Sequence, residues 1–381
     1  MSKAQLGQFF TTNTAYILKN MTKYIAGKHI SDPFAGNQDL LRWANENGAK
    51  TTIGFDVDKR YVDNVNVFYN DSLRTPKKYD FVLTNPPYLY QNKMEDNSLL
   101  STSKHTDLYQ LSLEKIMESN EGIVIVPINF LSSENAQYIR SSFLNEFDII
   151  DADYFTTQVF NDTTYNVMVF YYKRKTKQRS SMTFCLRIRP ENKKITVNLF
   201  KQYNWQIGGE FLAKVNEFGN TLKIRRLEES DLKAGNFKMT AAYNHIKDIR
   251  IFNVDKTVKD LIDHNTIILK AIDTGTESGK IGLEDIKETG LDALISIKTS
   301  RNQIQPIFPD FITIPEQKKM ISLFNETLNS ARAKYDSLFM TNFRDNNRKR
   351  ISFNFAYNLL NYVYFTHIKQ EQPNAKQYCL L

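Results

Sequence analysis

Phe81-Val82-Leu83-Thr84-Asn85-Pro86-Pro87-Tyr88 passes from an apolar run straight into a carboxamide, two prolines and an aromatic. The run predicts a short strand over residues 79–83 that must stop at the prolines, because proline lacks the amide a ladder needs and fixes φ. The turn that follows is stiff. In an open α/β sheet ligands bind at the carboxyl ends of strands, so Asn85 and Tyr88 are expected to face a cleft with little freedom to move. Tyr88 is expected to stand clear of any core, since a residue just after Pro-Pro at a strand end is badly placed to enter one.

Upstream, Gly7-Gln8-Phe9-Phe10-Thr11-Thr12-Asn13-Thr14 precedes a helical pattern over residues 15–24, and its Thr and Asn residues are good N-caps. Ile30-Ser31-Asp32-Pro33-Phe34-Ala35-Gly36-Asn37-Gln38-Asp39-Leu40-Leu41 reads as strand, small-residue turn and helix, with Asn37 or Asp39 opening the helix. Thr51-Thr52-Ile53-Gly54-Phe55-Asp56 follows as a second strand ending on a carboxylate. An acidic residue about 20 residues after such a turn suits an adenosyl ribose, whose hydroxyls it accepts. Gly36 stands alone, with Gln38 where a dinucleotide fold needs its next glycine. A pyrophosphate cradle is therefore disfavoured, and with it NAD; a sulfonium cofactor, which carries no phosphate, stays open.

Downstream, residues 65–69 predict a third strand, with Asp71 in the loop after it. Taken alone, such an Asp is more often a turn former. Residues 91–104 form a polar loop long enough to move over a substrate, and residues 107–119 a helix. Gly122-Ile123-Val124-Ile125-Val126-Pro127 has the unbroken apolar character of a central parallel strand. A helix from Ser132 or Ser133 to about residue 147, a strand over 148–154, a loop over 155–165 and a strand over 166–173 complete a sustained α/β alternation. The basic run 173–181 is read as the domain boundary. Beyond it, residues 182–310 mix short strands and loops, and residues 314–368 are mostly helical, interrupted at 342–350. Residues 274–281 invite a phosphate-loop reading, but the glycines are one residue too close and no Ser or Thr follows the Lys.

The 381 residues are enough for two cores. Residues 1–172 carry 15 Lys+Arg and 20 Asp+Glu, net −5, and the remainder is net +13. Basic charge confined to one part fits a polyanion-binding module on a separate catalytic body; a solvated basic surface is the alternative. Cys185 and Cys379 lie far apart without companions at ligand spacing, so neither a disulfide framework nor a metal centre is indicated. Two residues after Cys379 are too few for prenylation. With no long apolar run and a polar start, no membrane contact is expected and a reduced, cytoplasmic setting follows.

In order, these segments resemble the γ class of S-adenosyl-L-methionine-dependent DNA amino-methyltransferases, the type II restriction-modification enzymes that make N6-methyladenine. Motif X matches at Gly7 to Thr12, motif I at Asp32 to Gly36, motif II at Gly54-Phe55-Asp56-Val57, motif III at Asn70-Asp71-Ser72 and motif IV at Asn85 to Tyr88. Motifs V to VIII follow near Asp107-Leu108-Tyr109, at Gly122 to Pro127, at Asp148 to Asp153 and at Val159 to Val167. The resemblance implies a seven-stranded, mostly parallel methyltransferase sheet with an antiparallel last strand over residues 1–174. It implies a target-recognition domain over 175–381, here a mixed α+β domain with a helical end.

Residue roles follow by position. Phe9 and Thr11 would line the methionine end of the cofactor, Asp32 and Phe34 its amino-acid part. Asp56 would take the ribose hydroxyls, with Val57 and Pro87 against the adenine and Asp71 with Ser72 at its edge. Asn85 and the Pro86 carbonyl would accept both hydrogens of a target exocyclic amine. Tyr88 and Phe160 would stack on a base flipped out of duplex DNA, Tyr165 being the alternative to Phe160. No catalytic His or Cys is needed, and His105 is read as a surface residue. Asn at the head of motif IV favours adenine over N4 of cytosine in the families resembled. The resemblance also implies a monomer on double-stranded DNA, any cognate restriction endonuclease acting independently. RNA or protein-glutamine N-methylation, and an inactive DNA-specificity module, stand as rival functions.

Overall fold

The computed structural model describes residues 7–161, 163–273, 280–342 and 347–371. They form two compact units: the first ends at Gly209 and takes in Asn347, and the second begins at Glu210. The phosphate-loop reading at 274–281 lies mostly outside the described residues, as does Cys379. Among the described residues no helix is long and apolar enough to cross a membrane.

The first unit is built on a nine-stranded sheet in the order β3-β2-β1-β4-β5-β7-β6-β8-β9. Its strands are β1 (His29–Asp32), β2 (Thr51–Asp56), β3 (Val67–Tyr69), β4 (Phe81–Thr84), β5 (Glu121–Pro127), β6 (Phe147–Phe155), β7 (Val167–Arg174), β8 (Ser181–Arg189) and β9 (Lys193–Phe200). The first seven have the arrangement that the resemblance implies: β3 to β5 run parallel, and β7 inserts antiparallel between β5 and β6. From Ile123 to Val126 β5 is fully buried, as a strand covered on both faces must be. The helices are shorter than the periodicity predicts. Residues 15–24 yield α1 (Thr14–Ile17) and one 3-10 turn, and α2 spans Asp39–Glu46. Asp107 caps α3 (Leu108–Lys115), its side chain accepting from the Tyr109 amide. The expected helix from Ser132 or Ser133 is broken because Ser133 is extended, its hydroxyl donating to the Asn129 carbonyl; α4 (Gln137–Glu146) follows.

β8 and β9 correct the expected boundary at 174. β8 pairs parallel with β6 and carries β9 on its far side. Alternate residues Met182, Phe184, Leu186 and Ile188 are buried, the period-two pattern of a strand with one covered face. Arg187 fastens the hairpin to the sheet, its guanidinium on Asp151 at 2.5 Å and on Asp153 at 2.7 and 2.9 Å. Further along, the buried Arg140 of α4 donates to the Asn204 carbonyl at 2.8 Å and to the Ser133 carbonyl at 2.8 Å. The basic run 173–181 is thus the β7–β8 connection inside one unit. Residues 173–209 hold ten Lys+Arg and one Glu, net +9. Of the +13 beyond residue 172, +9 therefore lies in the first unit and +4 after Gly209, so that residues 1–209 and 210–381 are each net +4.

In the second unit, strands β10 (Ala234–Tyr243), β11 (Ile249–Val254) and β14 (Ala293–Ile295) form one small sheet, and β12 (Ile267–Lys270), β13 (Gly282–Asp285) and β15 (Gln303–Ile304) another. The helical end is α5 (Ile314–Tyr335) and α6 (Phe353–Val363). A capping box of Thr313 and Glu316 opens α5. Met320, Phe324 and Leu328 of α5 pack with Ile267, Leu269 and Leu283. Asn325 of α5 closes the contact by exchanging two hydrogen bonds with the Leu283 backbone, each 2.8 Å.

Candidate active site

The Asn85-Pro86-Pro87-Tyr88 turn leaves the carboxyl end of β4 and is joined to the segment 7–11. Asn85 Nδ2 donates to the Phe9 carbonyl at 2.8 Å and to Thr11 Oγ1 at 3.0 Å. With its amino group on two acceptors, the amide is locked so that Oδ1 is presented as an acceptor. The Tyr88 amide donates to the Gly7 carbonyl at 3.0 Å. Gly7 is required here: its φ is +65°, and a Cβ would lie 2.8 Å from the Tyr88 carbonyl oxygen.

Beside the turn lies a cavity of about 290 Å³ that brings together Phe9, Thr11, Asp32, Phe34, Asp56, Val57, Asp71, Ser72, Asn85 and Pro87. These come from the segment before α1, from the ends of β1, β2 and β4, and from the loop after β3. Asp32 is buried; its Oδ1 accepts from Thr84 Oγ1 at 2.6 Å and from the Phe34 amide at 3.0 Å. Burial pushes its carboxyl up to about 7, against the pull of those two donors. Asp56 Oδ2 accepts from the Gly36 amide and Oδ1 from the Asp58 amide, both at 2.8 Å. Burial raises this carboxyl as well. Asp71 caps its own turn, accepting from the Leu73 amide at 3.1 Å and pairing with Arg74 at 3.0 Å. The lining also holds Asp39, Glu95 and Asp96, and among the described residues its one cation is Arg74. Such a wall suits a ligand with a positive centre and hydroxyls and does not suit a phosphate.

Residues 8–160 match the family model described as Eco57I restriction-modification methylase. The likeness to that family is confined to this segment, about two-fifths of the chain. No curated relative matches the chain. Among solved structures, similar chains include one described as the modification subunit of a type I restriction enzyme from Vibrio vulnificus (16% identity, 65% of this chain and 59% of that one, TM-score 0.39). The type I restriction-modification methyltransferase subunit from Streptococcus thermophilus matches at 15% identity, 53% of this chain, 59% of that one and TM-score 0.39. The type IIG restriction endonuclease BpuSI matches at 13% identity, 69% of this chain, 39% of that one and TM-score 0.38. The chain thus spans 59% of the length of the first two.

Within this segment, three expectations are corrected. Tyr88 is buried, 2% exposed, with its ring among Phe9, Tyr109, Phe160 and Tyr165 at centroid distances of 5.7 to 6.5 Å. The Pro-Pro turn does not hold it out of the core because the Gly7 segment draws its backbone inward. Its hydroxyl reaches Asn85 Oδ1 and, at 2.7 Å, the Ile125 carbonyl, and burial raises the phenol well above its ordinary range. Phe160 is also buried, 1% exposed, so neither ring presents a free face, whereas Tyr165 is half-buried. His105, read as a surface residue, is buried with Nε2 2.7 Å from Glu114 Oε2.

Two contributors had no signal in the motif pattern. Thr84 is an ordinary strand residue until β1 is laid beside β4, when its hydroxyl meets Asp32. The polar loop 91–104 supplies Met94 and Leu99, which line the cavity and pack with Leu89, Leu100, Leu108 and Leu111.

Proposed function

We propose that the chain is a DNA methyltransferase that carries a methyl group from S-adenosyl-L-methionine to the exocyclic N6 of an adenine flipped out of duplex DNA. The observation that carries this reading is the locked Asn85 amide, its Oδ1 offered as an acceptor at the rim of an acidic, phosphate-excluding cavity. Asp32 and Phe34 would hold the amino-acid part of the cofactor, with Phe9 and Thr11 at its methionine end. Asp56 would accept from the ribose, Val57 and Pro87 would pack on the adenine, and Asp71 and Ser72 would line its edge. The bound cofactor supplies a methyl group made electrophilic by its sulfonium.

The remaining work is positioning. A nucleobase amine is a poor nucleophile because its lone pair is delocalised into the ring. Asn85 Oδ1 and the Pro86 carbonyl would each accept one amine hydrogen and localise that lone pair on a tetrahedral nitrogen. The Tyr88 hydroxyl first occupies Asn85 Oδ1 and must yield to the amine. Its proton has the Ile125 carbonyl as a second acceptor at 2.7 Å, so the exchange strands no buried donor. Flipping costs a few kcal/mol, which aromatic contacts offset. Tyr165 is accessible for this, while Tyr88 and Phe160 would need the loop 155–165 to open. The second unit is proposed to recognise the target sequence.

The test is transfer of labelled methyl from S-adenosyl-L-methionine to equal amounts of duplex DNA, RNA of the same sequence, and protein. Label in DNA is expected. Label confined to RNA or to protein glutamine overturns the reading.

A further inference from the structure

We infer that the β8–β9 turn of the first unit is a phosphate-contacting surface for duplex DNA, set to one side of the target base. This rests on the chain being a DNA methyltransferase. The turn shares the sheet edge with Asn85, and hydrogen bonds trace that edge without a gap. Thr84 at the end of β4 pairs with Val124 of β5, and the Ile128 amide after β5 donates to the Asn166 carbonyl before β7. Asn166 Nδ2 reaches the Phe155 and Thr156 carbonyls at the end of β6, at 3.2 and 2.7 Å. The Thr156 amide then donates to the Arg189 carbonyl at the end of β8, at 2.9 Å.

Among the described residues at this end of the edge, cations outnumber exposed carboxylates. Lys193 and Lys194 are exposed at the start of β9, and Arg189 is half-buried at the end of β8. Lys19 is exposed beside Asn20, whose amide donates to Asp153 at 3.0 and 3.1 Å and so brings the chain after α1 to the same place. Asp151 and Asp153 are buried against Arg187, which leaves Glu191, exposed and accepting from Thr156 Oγ1 at 2.7 Å, as the protruding carboxylate of the turn. The Arg187 clamp makes the turn a rigid fixture. The seven methyltransferase strands are complete without it, so the hairpin is free to serve another purpose.

Its reach follows from the strand order. β8 and β9 lie four and five strands from β4. At about 4.8 Å per strand that is roughly 19–24 Å, or about six to seven base pairs at 3.4 Å each. A straight duplex with its target base at Asn85 would bring backbone phosphates to the turn.

The competing reading is that lysines on an edge strand only prevent strand pairing between molecules. The two are separated with the full chain carrying Lys19→Gln, Lys193→Gln and Lys194→Gln, by measuring duplex affinity against salt concentration. Each lysine that neutralises a phosphate contributes about 0.9 to the slope of log K on log salt. A slope shallower by up to about 2.7 is expected. Over a fourfold rise in salt, the wild type should then lose up to ~40-fold more affinity than the variant. On a duplex cut about three base pairs from the target base on the hairpin side, the difference should vanish, the hairpin then facing no phosphates. An unchanged slope on the long duplex overturns the inference, and so does faster self-association with no change in slope. Methyl transfer by the wild type, measured on the same duplex, separates the two levels. Transfer with equal slopes removes only the hairpin, while neither transfer nor duplex binding removes the methyltransferase reading as well.

Discussion

Thr84→Val replaces a fully buried hydroxyl by a methyl of nearly the same size, and its effect should be felt in cofactor binding. The hydroxyl donates to Asp32 Oδ1 at 2.6 Å, and burial already holds that carboxyl at about 7. A hydrogen bond to a buried charged group contributes about 1.5–3 kcal/mol, and this one is lost mainly from the ionised form. One pKa unit corresponds to about 1.4 kcal/mol, so the Asp32 midpoint should rise by about one to two units. If the ionised carboxylate is what holds the cofactor's ammonium, affinity increases as pH rises through that midpoint. The wild type should weaken up to about tenfold for each unit below pH 7. The variant should bind about 5- to 50-fold more weakly than the wild type near pH 7, and the gap should narrow as pH rises. Calorimetric titration with S-adenosyl-L-methionine from pH 6 to 8 reads this directly, and Asp32→Asn should bind weakly with no gain in affinity as pH rises through 7. Superimposable pH profiles for wild type and Thr84→Val would show that Asp32 does not govern cofactor binding.

Asn85→Ala should lower kcat by roughly 10²- to 10³-fold, as loss of one preorganised hydrogen-bonding group does, with little change in cofactor affinity; proportional loss of affinity by calorimetry would count against the acceptor role. Asp56→Ala should show the opposite split, with weak cofactor binding and kcat recoverable at high cofactor, and an unchanged Kd would remove Asp56 from the site. Tyr88→Ala should destabilise the fold by about 3–5 kcal/mol because it empties a buried ring site, whereas Tyr88→Phe should melt much closer to the wild type; equal melting temperatures for wild type and Tyr88→Ala would show that the ring is not part of the core.

The first seven strands of the sheet were legible because several of the candidate site residues stand where a strand ends. Asp32, Asp56 and Asn85 stand at the ends of β1, β2 and β4, so order along the chain already implied a shared sheet edge. Properties set by distant segments were not legible. Tyr88 enters the core through Gly7, far from it in sequence, and Thr84 gains its role only when β4 lies beside β1. A basic run resembles a linker until Met182, Phe184, Leu186 and Ile188 are seen to alternate into a strand that Arg187 fastens to Asp151 and Asp153. In the second unit the small sheets depend on distant pairs such as Ala241 with Ala293, which no local pattern announces.

The most direct test of the central claim is the chemical identity of the product. Duplex DNA methylated by the purified chain with S-adenosyl-L-methionine is digested to nucleosides and analysed by mass spectrometry. Both candidate bases offer an exocyclic amine to Asn85 Oδ1 and the Pro86 carbonyl, so the comparison isolates base choice from mechanism. N6-methyladenine that disappears with Asn85→Ala is the predicted result. N4-methylcytosine without N6-methyladenine would contradict the base assignment, and methyl groups on neither exocyclic amine would contradict the mechanism itself.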